Sequence, residues 1–281
     1  MKTQIYRLGI WITKKNPCLK PIMEKFNKLF LSDYFQKPPE FSGWGMTTQH
    51  TSAWNDEYSC DTFCQTCVDL EMFDFTPSVG FTKESIEEHK WRHYFISFSV
   101  LYAIKFAQIK NFNFVECGVG DGVSALFALT EISNKLKNNF KMHLYDGWTS
   151  MNKNYLLDSE SDNEGRYYDL SIDRTKHNLI KFEQNTIFHQ GSIPDTFTRS
   201  SPPPESIVYL HIDLNSSEPT LAALDFFFPK LVHGGIIIFD DYGWDGYPET
   251  KLVIDKFFSD KRGILLKSPT GQAIYFHNCI S

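Results

Sequence analysis

The sequence predicts an α/β fold built on an open, mostly parallel sheet with helices on both faces. Three stretches carry that reading. Residues 207–244 read as strand, loop, helix, turn and strand, and residues 113–122 as a strand running into a glycine-rich turn that opens a helix. The helix expected over 250–262 is followed by two short strands, 263–267 and 272–276, which suggest a hairpin on the sheet edge. Buried strands alternating with amphipathic helices are the pattern of βαβ units.

The chain has 281 residues, of which 42% are hydrophobic and 25 are Phe, enough for one large α/β domain with an extension. A net charge of −6 argues against a nucleic-acid surface, which wants a basic stripe. No segment approaches the roughly 18 uninterrupted apolar residues of a membrane span, and no secretory leader is recognisable. Six cysteines without such a leader point to reduced thiols and a cytoplasmic location.

Residues 1–82 carry no strong period. They are aromatic and loop-rich (Trp11, Trp44, Trp54, Pro38-Pro39), with one short helix expected near 21–35. This extension is read either as a lid or substrate-binding region or as packing for the domain over 83–281. Within it, Cys60, Cys64 and Cys67 have the C-x₃-C-x₂-C spacing of a radical-type [4Fe–4S] site, and His50 would complete a zinc site. The βαβ units downstream suit neither, so a half-buried segment without metal is the preferred reading.

A long helix is expected over 82–110, with Thr82 as N-cap and an apolar face of Trp91, Phe95, Phe98, Leu101, Tyr102, Ile104 and Phe106. The turn that follows the next strand places Gly118, Gly120 and Gly122 as G-x-G-x-G, ahead of a helix over 123–136. Such glycines allow a tight turn and close approach of a ligand, with the helix N-terminus behind it. Glu116, just before them, suits a ligand carrying an amino group rather than a pyrophosphate. The strand over 141–144 ends at Asp146, an acid placed to accept from ribose hydroxyls. Residues 149–172 are polar and irregular, a candidate mobile loop over the cleft. A helix over 172–182, a strand over 186–190 and the turn at Gly191-Ser192 follow, and 200–204 is a Pro-rich linker.

The apolar run 207–212 ends in Asp213 and Asn215; Pro219-Thr220 opens a helix bearing Leu221, Leu224, Phe227, Phe228 and Leu231. His233-Gly234-Gly235 closes that helix, and the strand 236–239 ends at Asp240-Asp241. In an open α/β sheet ligands bind outside the carboxyl ends of the strands, so Asp213, Asp240 and Asp241 converge there. Three carboxylates without Cys or His beside them suit Mg²⁺, Mn²⁺ or Ca²⁺. The blander alternative is that each aspartate caps the helix after it.

VECGVGDG, the acid one strand later, GSIPDTF, HIDLNSSEPT and GGIIIFDDYG together resemble class I S-adenosylmethionine-dependent methyltransferases. More narrowly, residues 82–281 resemble the macrocin O-methyltransferase family, which methylates sugar hydroxyls of antibiotics. The resemblance implies a Rossmann-like seven-stranded sheet with the last strand antiparallel. It also implies S-adenosylmethionine as cofactor, with Glu116, Gly118 and Gly120 along the methionine, Asp146 at the ribose and Ser192 beside the adenine. Asp213, Asp240 and Asp241 match the family's Mg²⁺ or Mn²⁺ ligands, and Asp213 serves catalysis. Members often carry an acid, usable as general base, where this chain has Asn215, or a His where it has Gly243; Asn cannot take a proton, so either the metal alone acidifies the substrate hydroxyl, a base comes from His50, His211 or an N-terminal residue, or catalysis is impaired. The expected partner is a small-molecule hydroxyl acceptor, a sugar or glycosylated natural product, with no nucleic acid and no membrane, and a homo-oligomer left open. The rivals are a catechol-type enzyme, which would place Lys where Ser216 stands, and a non-catalytic S-adenosylmethionine binder.

Overall fold

The computed structural model describes residues 61–70, 89–199, 202–244, 246–268 and 271–278. The expectations for the helix near 21–35, for His50, Cys60 and Thr82, and for the Cys64 side chain lie outside these. Helix α1 (Asp61–Asp69) carries Cys67, a half-buried side chain packed against the core.

Helix α2 (Lys90–Phe106) leads into strand β1 (Phe112–Cys117), the glycine turn and helix α3 (Val123–Leu136). Strand β2 (Phe140–Asp146), helix α4 (Ile172–Asn178), strand β3 (Thr186–Gln190) and the short helix α5 (Thr196–Arg199) follow. Strand β4 (Ile207–Ile212), helix α6 (Ser217–Phe227), strand β5 (Leu231–Phe239), helix α7 (Pro248–Phe258) and strands β6 (Gly263–Lys267) and β7 (Ala273–His277) complete the order.

The seven strands form one sheet in the order β3-β2-β1-β4-β5-β7-β6. Strands β1 to β5 pair in parallel, and β7 runs antiparallel between β5 and β6. The expected sheet with its last strand antiparallel is the one observed.

Alternation along the strands divides the interior into two cores. Phe114, Met142, Leu144, Tyr209, Ile236 and Ile238 face α2 and α3, while Val115, Tyr145, Leu210, Ile212, Ile237 and Phe239 face α6 and α7. Two details correct the sequence reading. The buried stripe of α2 is His93, Ile96, Ser97, Val100 and Ala103, whereas Phe98, Leu101 and Phe106 are exposed. The face turned to the sheet thus mixes polar and apolar side chains, while larger apolar ones stay outside. Leu231, expected on the helix, instead begins β5, because α6 ends at Phe227 and a single 3₁₀ turn (Phe228–Lys230) intervenes.

Candidate functional site

The carboxyl ends of β1, β2, β4 and β5 open onto a cleft of about 560 Å³. Gly118, Gly120, Asp146, Ser192, Asp213, Asn215, Asp240 and Asp241 all line it. Glu116 does not: its carboxylate is fully buried, accepts from Ser124 Oγ and lies 3.5 Å from His211 Nδ1.

Strand parity explains which acids meet. The ladder continues one residue past β4 and β5, through Asp213 N to Cys117 O (2.8 Å) and Asp240 N to Ile212 O (3.0 Å). Asp213 therefore shares a face with His211 and Tyr209, and Asp240 with Ile238, on the side covered by α2. One ligand atom each from His211, Asp213 and Asp240 lie within 4.8 Å of one another. Asp241 has the opposite parity and stands outside that group; its Oδ2 accepts from Asn215 N at 3.0 Å.

Between Asp213 and Asp240 lies the guanidinium of Arg92, from the first turn of α2. Nε donates to Asp240 Oδ1 and Nη2 to Asp213 Oδ2, both at 2.6 Å, and Nη2 also lies 2.5 Å from Asp240 Oδ2. Burial works against the guanidinium's charge, but Asp240, Asp213 and Asp241 overcome it and raise its pKa. Burial pushes the Asp213 carboxyl up, Asp240 adds to this and Arg92 opposes it, leaving a value of about 6. The same crowding holds Asp241 well above the carboxylate range, burial first and then Asp213 and Asp240. Oxygens from two strands thus already converge on one positive group, and hard carboxylate donors so aimed fit a divalent cation.

The neighbouring side chains account for the departures from the family pattern. Asn215, in a left-handed conformation (φ 55°), donates to Asp213 Oδ1 at 3.3 Å and accepts from Tyr167 Oη at 3.0 Å. A Cβ at Gly243 would lie 2.9 Å from Gly271 Cα and O, so no larger side chain fits there without displacing that turn. The hydroxyl of Ser216 lies 2.9 Å from both Glu160 Oε2 and the Tyr155 carbonyl oxygen, and its one proton donates to either.

Asp146 clasps the glycine turn. Its Oδ2 accepts from Val119 N (2.7 Å) and Gly120 N (2.9 Å), and its Oδ1 from Trp148 N (2.6 Å). Burial nonetheless raises its pKa, outweighing those three backbone donors. A Cβ at Gly120 would meet only Leu170 Cδ2 at 4.0 Å, so the turn leaves room for a ligand. Residues 149–172 form one wall of the cleft as two 3₁₀ turns, tied down where Glu160 accepts from Ser217 N (2.8 Å). Arg92 and His211 escaped the sequence reading as partners of the acids. Parity could have revealed His211; Arg92 gave no local signal, because 121 residues separate it from Asp213.

A parallel sheet with one antiparallel strand inserted near its edge, and a glycine turn after β1, defines the class I methyltransferase fold. Residues 115–242 match the family described as a methyltransferase domain. No curated protein matches at comparable significance. Among solved structures, the O-methyltransferase NovP is similar at 18% identity over 66% of this chain and 79% of its own, with a TM-score of 0.58. CalS11, a calicheamicin methyltransferase, is similar at 17% identity over 84% of this chain and 98% of its own, with a TM-score of 0.56. Residues 115–242 thus match a methyltransferase domain, and the sheet that carries them has the class I methyltransferase fold. Among the described residues no helix is long and apolar enough to cross a membrane.

Proposed function

We propose that the protein transfers the S-adenosylmethionine methyl group to a hydroxyl oxygen of a small molecule, a sugar or a glycosylated natural product. One observation carries this reading: the glycine turn and the Asp213–Asp240 cluster line the same cleft, so an acceptor held at the cluster faces the donor. The likeness to NovP and CalS11 supports it.

In this reading Gly118 and Gly120 run along the methionine of the cofactor and Ser192 lies beside the adenine. Asp146 takes the ribose on the lone pair that Trp148 leaves free on Oδ1, while its backbone contacts keep the turn in shape. The buried Glu116 supports the site from beneath rather than touching the cofactor. Asp213 and Asp240, with Asp241 alongside, would hold Mg²⁺ or Mn²⁺. When bound, such an ion supplies positive charge that lowers the pKa of a chelated hydroxyl. Asp213 presents its carboxylate to the acceptor, and Asn215, which has no titratable group, orients it through Nδ2. Methyl transfer is an in-line displacement, so the work of these side chains is positioning and charge.

Product mass spectrometry against a panel of sugars and glycosylated acceptors, with and without Mg²⁺, tests the proposal. A product 14 mass units heavier is expected, about the mass that replacing a hydroxyl hydrogen with methyl adds. Calorimetry should show S-adenosylhomocysteine binding that Gly120→Arg abolishes. Cofactor binding without methylation of any hydroxyl acceptor would sink the O-methylation reading.

A further inference from the structure

We propose that Asp213, Asp240 and His211 form the inner ligands of a divalent-cation pocket, and that Arg92 is a tethered cation competing with the ion for it. The inference rests on the cation site proposed above and is independent of which hydroxyl is methylated.

Two observations carry it. The first is Arg92 itself. A guanidinium already lies in contact with Asp213 and Asp240, where its three short contacts use the lone pairs that a metal ion would need. A second cation brought to those oxygens meets the guanidinium's like charge at contact distance, so it competes with Arg92 for them.

The second is His211. The ring is fully buried, Nδ1 meets only Glu116, Nε2 has no hydrogen-bond partner among the described residues, and one ring nitrogen lies within 4.8 Å of the aspartate oxygens. Unpartnered buried polar groups are costly and call for an explanation. A ligand role supplies one. Nδ1 faces Glu116 Oε1 at 3.5 Å, and Glu116 Oε2 likewise has no partner among the described residues. A carboxylate behind an imidazole fixes its tautomer and orients the other nitrogen toward a metal. Glu116, paired opposite His211 in the β1–β4 register, is placed for that task. Gln272 Nε2 holds Asp240 Oδ1 at 2.8 Å from the other side. An imidazole among the donors shifts the preference away from Mg²⁺ toward Mn²⁺ and later transition ions.

The test is Mn²⁺ binding followed by electron paramagnetic resonance, on wild type, Arg92→Met, and Arg92→Met combined with Asp240→Asn or His211→Leu. Arg92→Met is expected to bind Mn²⁺ at least tenfold more tightly than wild type. Either second substitution should remove that gain, and pulsed spectra of Arg92→Met should show nitrogen coupling from the imidazole. Equal affinity in wild type and Arg92→Met would overturn the competition while leaving a metal site standing. Tight binding without nitrogen coupling would overturn the role of His211. No binding in any variant would overturn the inference and the cation site together, whereas methyl transfer is judged separately on its product. If Arg92→Met fails to fold, wild type decides. The Arg92 Nε–H resonance should shift as Mg²⁺ or Zn²⁺ is added, and a resonance unmoved at saturating ion refutes competition.

Discussion

Gly118 sits where the chain leaves β1, and a Cβ there would fall 1.8 Å from the carbonyl oxygen of Asp213. Its backbone is also left-handed, at φ +86°. Both facts bar any side chain, so Gly118→Ala should cost at least about 3 kcal/mol of unfolding free energy. It should also disturb Asp213 and thereby methyl transfer. A urea midpoint unchanged from wild type would refute this. At this scale the sequence was legible by type more than by purpose. The glycine turn was visible, but its first glycine serves the close approach of the end of β1 to the backbone of Asp213 just past β4. Asp146 was visible as an acid at a strand end, but not as the clasp that holds Val119 N and Gly120 N. Arg92 was invisible, since an arginine on an amphipathic helix looks like any solvated charge until the fold lays α2 over the acids.

At the scale of elements, the wall over 149–172 hangs on one buried side chain. Glu160 accepts from Leu157 N, Ser216 Oγ and Ser217 N, and so satisfies a free donor at the start of α6. Glu160→Ala should cost about 2–3 kcal/mol, the worth of charge-assisted bonds at a buried cap. Limited proteolysis should then cut between 149 and 170 faster than in wild type, and an unchanged cutting rate would show that other contacts hold the wall. The boundaries of α3, β3, β4 and β6 were readable because each apolar run is bounded by turn residues. The face of α2 was not, because aromatic and leucine side chains are spread around the whole helix and the buried stripe includes His93, Ser97 and Ser99, which a hydrophobic count passes over.

For the whole molecule, βαβ periodicity made the parallel sheet readable, and two short strands after α7 announced the hairpin. Parity along each strand is readable, but which strands neighbour each other and which helix covers each face needed the fold. One consequence is testable by pH. His143 Nδ1 and His189 Nε2 lie 3.0 Å apart on β2 and β3, and His189 stacks on Tyr145 with ring centroids 4.0 Å apart. Burial lowers both pKa values to about 4, helped at His143 by His189 and Lys141. The folded chain thus binds fewer protons than the unfolded one between about pH 4 and 6.5, and the pair costs stability as pH falls through that window. His189→Phe keeps a ring against Tyr145 and should remove roughly half of that loss. Its urea midpoint, relative to wild type, should improve steadily from pH 6.5 to 4, and a constant difference would refute the assignment.

Strand β7 lies between β5 and β6, and the residue just before it, Gln272, donates to Asp240. Gly271 O, a residue earlier, accepts from Gly243 N at 2.6 Å. During synthesis, therefore, β5 and both aspartates leave the ribosome some thirty residues before the segment that braces them. Until that segment arrives, β6 has no neighbour to pair with and β5 presents a bare, apolar edge, the kind of surface that recruits other chains. A nascent chain stalled near residue 270 is expected to need a chaperone, and one released beyond 277 is not.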